Sequence, residues 1–184
     1  MDTSRIKKFA IEARNKLKEG VATKIASLGY DSNGNVPERL IPQQMEGGAV
    51  WNGNIMSEGW FGQWMSLKKR IEQIGIKDVY EEAAYTWFNR LVAIRILNKN
   101  GLCDPVLSYV DGTRTPVIVD DARQGRLPQM SEQTRSRLVE LLVDDTKTTD
   151  QFALLISAWC HQNPIINACF GGIADYTELL LPNN

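Results

Sequence analysis

Apolar residues recur along this chain at three- and four-residue intervals far more often than at every second position, which predicts a mainly helical protein. The clearest stretch is residues 76–100, IKDVYEEAAYTWFNRLVAIRILNKN. Tyr80, Ala84, Trp87, Phe88, Leu91 and Ile94 mark its apolar side. Asp78, Glu81 and Glu82 near its start and Lys99 near its end suit the helix dipole, and Gly101 is a natural stop. It reads as the central helix. Its polar face is assigned to Asn89 and Arg90, either for contacts outside the domain or for fixing the helix against a loop. Arg95 falls within the apolar side. A buried guanidinium without a partner is costly, so a carboxylate (Asp120 or Asp121) or a backbone carbonyl is expected beside it. The alternative is that Arg95 snorkels past the helix end.

Residues 3–28 form a second amphipathic pattern, through Ile6, Phe9 or Ala10, Ala13, Leu17, Val21, Ile25 and Leu28. Gly20 weakens it in the middle by roughly 1 kcal/mol relative to Ala. Residues 31–56 are rich in Gly, Asn and Pro and read as a long irregular loop, with one short strand or helical turn around Glu38 to Glu46. A helix is predicted over 57–75 from Trp60, Trp64, Leu67, Ile71 and Ile74. The run Val117-Ile118-Val119 is expected as a strand pairing with Leu107 to Val110, which would be the one short β-hairpin. Helices follow over 131–143, capped by Ser131, and over 149–162, with residues 164–172 as a loop or turn. The fold class expected is mainly α: a helical bundle with a long irregular loop and at most one short β-hairpin.

Composition narrows the chemistry. Hydrophobic residues make up 43% of the 184, enough for a packed core. The net charge of −1 gives no overall basic surface for nucleic acid, but the first helix concentrates Lys7, Lys8, Arg14 and Lys18 on its polar side. These are the candidates for DNA-backbone contact; the plainer reading is a solvated face. Cys103, Cys160 and Cys169 lack paired spacing and suit reduced thiols in a cytoplasmic protein. No metal site is expected, and no run is apolar enough for a membrane span. Trp51, Trp60 and Trp64 cluster in sequence, either to stack bases or a partner or, more simply, to plug a core.

Two fragments resemble catalytic motifs and fail. Asn163-Pro164 and Phe170-Gly171-Gly172 share residues with the amine-gripping and cofactor-binding motifs of amino-methyltransferases. The second proline and the aromatic are missing, the order is reversed and no strand precedes the glycines. Cys160 and His161 are sequence neighbours on a helix and point about 100° apart, so they form no thiol–imidazole dyad.

The stretch EEAAYTWFNRLVAIRILNKNG, residues 81–101, closely resembles the PglX family, adenine-specific DNA methyltransferases of BREX bacteriophage-exclusion systems. WMSLKKRIEQIG (64–75) and DYTELLLPNN (175–184) fit that family's neighbouring segments. The resemblance implies that residues 1–184 are a single N-terminal helical domain of a longer methyltransferase, with 175–184 starting a linker to the catalytic domain. It implies S-adenosylmethionine as methyl donor for the full-length protein, with no cofactor and no catalytic residue in this part. The partners implied are the downstream methyltransferase domain, DNA and other BREX proteins. A protein-interaction module of a defence complex, without DNA contact, is the alternative.

Overall fold

A computed structural model describes residues 3–170 and 176–182. Among these, seven α-helices and one small antiparallel sheet are formed, as the fold class anticipates. The helices are α1 (Thr3–Ser27), α2 (Glu58–Ile74), α3 (Ile76–Lys99), α4 (Val117–Arg123), α5 (Glu132–Leu142), α6 (Thr148–Gln162) and α7 (Pro164–Phe170). The chain divides into two compact units. One takes residues up to Phe88 together with 176–182, and the other takes Asn89 to Phe170. Helix α3 supplies residues to both.

In the first unit, α1, α2 and the first half of α3 meet around Val21, Ile25, Trp64, Leu67, Val79 and Ala83, all fully buried. The tryptophans are core material. Trp64 donates its indole N–H to the Leu28 carbonyl at 3.2 Å, and Trp51 packs on Trp60 with ring centroids 5.4 Å apart. Helix α2 starts where Ser57 accepts a hydrogen bond from the Trp60 amide and stops at Gly75.

The sheet lies in the stretch expected to be irregular apart from one short strand or helical turn around Glu38 to Glu46. Strands β1 (Gln43–Met45), β2 (Gly48–Trp51) and β3 (Asn54–Ser57) pair in sequence order. The β2–β3 turn is Asn52-Gly53, both with positive φ (47° and 79°), the conformation that matches strand twist in a two-residue hairpin. At Gly48 a Cβ would fall 2.1 Å from the Met56 carbonyl oxygen, so only glycine fits beside β3.

The hairpin expected over 107–119 is not formed. Tyr109 and Pro116 make a single bridge, and Val117 to Val119 begin α4. Pro116 sits at the helix N-cap, and Ile118, Val119 and Ala122 are buried on one side. Three β-branched residues therefore give way to tertiary burial at helical spacing. Within 164–172, expected as a loop or turn, residues Pro164–Phe170 are helical. Pro164 takes the first helical position, where its missing N–H costs nothing. The Asn163 side chain accepts from the amides of Ile165 and Ile166 at 3.1 and 3.0 Å. The Asn-Pro pair is thus a helix start.

In the second unit, Leu138, Leu155, Ile156 and Ile166 form buried contacts around α6. Gln151 is fully buried there. Its side-chain NH2 donates to the carbonyls of Leu141 (2.8 Å) and Asp144 (3.0 Å), closing the end of α5. Its oxygen accepts from Arg123 at 2.9 Å. Ser131 caps α5 through the Thr134 amide, as expected.

Candidate functional site

The residues that carry the family resemblance are held together by their own side chains. On α3, Glu81 and Glu82 are adjacent but point to different neighbours. Glu81 takes salt bridges from Arg14 and Lys18 of α1. The hydrogen bonds from Lys18 and Arg14 hold its carboxyl below the usual range. Glu82 accepts from Arg70 of α2 at 2.7 Å and from the Tyr176 hydroxyl. Burial alone raises the Glu82 pKa, but the hydrogen bonds from Arg70 and Tyr176, with the Arg70 charge, bring it below the ordinary value.

Next along α3, Ala83 and Ala84 are fully buried, and so is Trp87, whose indole N–H donates to the Thr177 carbonyl at 2.7 Å. Gln63 of α2 donates to Glu178 at 2.9 Å. Residues Tyr176–Leu180 form a short 3-10 turn, in which Tyr176, Thr177 and Leu180 are buried, as is Leu181 just beyond it. The segment expected to open a linker is therefore strapped onto the first unit over 176–182. Asp175, Asn183 and Asn184 lie outside the described residues, as do Gly171 and Gly172.

The sequence-expected site residues separate into groups. Lys7 and Lys8 are exposed on the first turns of α1, where Lys8 stands 3.8 Å from Glu12. Arg14 and Lys18 are committed to Glu81. Asn89 is half-buried. Arg90 is not on an open polar face: it is only 5% exposed, and its guanidinium carbon lies 6.0 Å from the Phe170 ring centroid, a cation–π distance.

The expected pairing of Arg95 with Asp120 or Asp121 does not occur, and its exposure agrees with the alternative, a guanidinium that reaches solvent. Arg95 is exposed and donates to the Ser108 hydroxyl at 3.2 Å. Asp121 pairs with Arg126, and Asp120 accepts from Gln124. The reason lies in the stripe that α3 buries: Ile76, Val79, Ala83, Trp87, Arg90, Ile94 and Leu97. That stripe steps by three or four residues throughout, includes Arg90 and leaves Arg95 about 100° or more away. A strict seven-residue reading from Ile76 would have found it. Gln151 and Arg123, missed by sequence reasoning, gave no such signal, because a buried glutamine on an apolar helix is recognisable only by what it touches.

Nothing among the described residues assembles three or more His, Cys, Asp or Glu side chains that could hold a metal ion. No described helix is long and apolar enough to cross a membrane. Cys160 is buried and His161 exposed, consistent with their pointing apart on α6.

Comparison with family models gives no match. Two curated proteins are similar in sequence. The adenine-specific methyltransferase BrxX of Escherichia coli O9:H4 (strain HS) is 29% identical over 198 aligned residues, covering 100% of this chain and 16% of the relative. The adenine-specific methyltransferase PglX of Lacticaseibacillus casei (strain Zhang) is 31% identical over 114 residues, covering 54% of this chain and 9% of the relative. This chain thus spans a minor part of the length of either protein. By sequence this chain is similar to a limited stretch of the adenine-specific methyltransferases BrxX and PglX, and the similarity to BrxX runs through the whole of this chain.

Proposed function

We propose that this chain is a non-catalytic helical domain of an adenine-specific DNA methyltransferase in a BREX phage-defence system, contributing to DNA engagement or assembly and not to methyl transfer itself. The observation that carries this reading is the whole-chain similarity to a methyltransferase of which it matches only 16%. The chain contains no Asn-Pro-Pro-Tyr sequence and no glycine-rich dinucleotide-type loop. The residues of highest resemblance are spent on internal bonding: Glu82 and Trp87 hold the 176–182 strap. In the full-length protein, S-adenosylmethionine would supply the methyl group, and the adenine would be flipped into a pocket elsewhere.

Duplex DNA is engaged through phosphates, with Lys7 and Lys8 as the available cations, since Arg14 and Lys18 are shared with Glu81. That sharing favours a second reading, a protein-interaction module of the defence complex without DNA contact. Two assays separate these. The chain supplied with S-adenosylmethionine and adenine-containing duplex should transfer no methyl group; transfer would overturn the non-catalytic assignment. Binding to duplex should weaken with salt, and Lys7→Gln with Lys8→Gln should reduce the log–log slope by about 2. Absence of any salt-dependent binding at low ionic strength would leave the interaction-module reading in place.

A further inference from the structure

From Thr3 to Lys16, about four turns, α1 buries no residue. A helix of this length is marginal in water on its own hydrogen bonds, and α1 is anchored to the first unit by the Arg14 and Lys18 bridges to Glu81 and by the packing of Leu17, Val21 and Ile25. Yet this section is not built as a plain solvated helix. Ile6 is 53% exposed and Phe9 61%. With Ala10 and Ala13 they stand at i, i+3, i+4 and i+7, a single stripe along the helix, before Leu17 turns onto the core of the first unit. Lys16 flanks the stripe on one side and Lys7 on the other, both exposed. Six of the seven charged residues between Thr3 and Lys18 are basic.

We propose that this stripe docks lengthwise into an apolar groove of a partner protein whose rims carry carboxylates. The anchor spacing is that of an amphipathic helix seated in a groove, and Ala10 and Ala13 allow the groove floor to come close. Basic residues on both flanks match acidic rims. The same flanks oppose pairing with α1 of a second copy, because like charges would face each other. A phosphate backbone would use the lysines but leave Ile6 and Phe9 in water, which makes nucleic acid the weaker occupant of this face.

The test places the photo-crosslinker p-benzoylphenylalanine at position 9 of the full chain, expressed in its native cells, with the exposed loop residue Tyr109 (65% exposed) as the control position. Crosslinked peptides are identified by mass spectrometry. The expected result is convergence of position-9 crosslinks on one protein segment in which apolar residues alternate with Asp and Glu. That crosslink should be lost in the Lys7→Glu, Lys16→Glu variant while its circular dichroism stays unchanged, since neither residue is buried. Crosslinking to nucleic acid, to a second copy of the chain, or to a segment without carboxylates overturns the proposal. So does a yield no higher than that at Tyr109.

Discussion

Glu82 shows how much one side chain decides. It gathers Arg70 from α2 and Tyr176 from the strap onto one carboxylate, so three sequence-distant segments meet at a single charge. Its folded pKa lies below its ordinary value of 4.5. The stability linked to it is therefore fully present above that ordinary value and is lost as pH falls through the lower, folded one. Glu82→Gln should weaken the fold at neutral pH and flatten this acid limb. Urea melts at several pH values check it, and an unchanged acid limb would refute the role assigned to Glu82. Arg95 is the opposite case. Exposed, with one neutral hydrogen bond, it should tolerate Arg95→Met within about 0.5 kcal/mol. A loss of about 2 kcal/mol or more in the same melts would restore the buried pair that the helical wheel suggested. The wheel misplaced Arg95 and Arg90 because aromatic and aliphatic residues occupy more of α3 than the stripe it buries. Tyr85, for example, is 58% exposed.

Among elements, the 176–182 strap has the largest consequence for its size. Burying Leu180 and Leu181 contributes about 1.5–3 kcal/mol each, and the Thr177 carbonyl satisfies an indole N–H that would otherwise be buried without an acceptor. Removing residues 176–182 should cost the first unit its cooperative unfolding and shift its tryptophan fluorescence to longer wavelength. A truncated chain with an unchanged thermal transition would show that the strap is dispensable. The elements that sequence periodicity placed correctly, α1, α2, α3, α5 and α6, all run for at least the 11 residues of α5, long enough for a three- to four-residue period to repeat. Of the sheet, the sequence indicates only one short strand or helical turn around Glu38 to Glu46, the span that holds β1, because strands of three or four residues offer too few positions for alternation to register. Helix α4 was misread because local β preference and tertiary burial point in different directions over only seven residues.

For the molecule as a whole, the three cysteines report on how the chain is packed. Cys169 is exposed, Cys103 partly covered and Cys160 buried. Burial, with Asp104 nearby, pushes the Cys103 thiol up and so lowers its reactive thiolate fraction at neutral pH. A thiol reagent should modify Cys169 first, Cys103 more slowly and Cys160 only on unfolding. Site mapping by mass spectrometry checks the order, and early labelling of Cys160 would contradict the packing around α6. The helical class and the kinship with adenine-specific methyltransferases were legible in the sequence, because periodicity and a long specific match are properties of the residue string itself. The tertiary structure alone decided that two of the four basic candidates are engaged by Glu81, and that residues 176–182 are a strap. Each of these depends on which distant side chain arrives at a given surface. That is set by packing between elements, which local spacing does not encode.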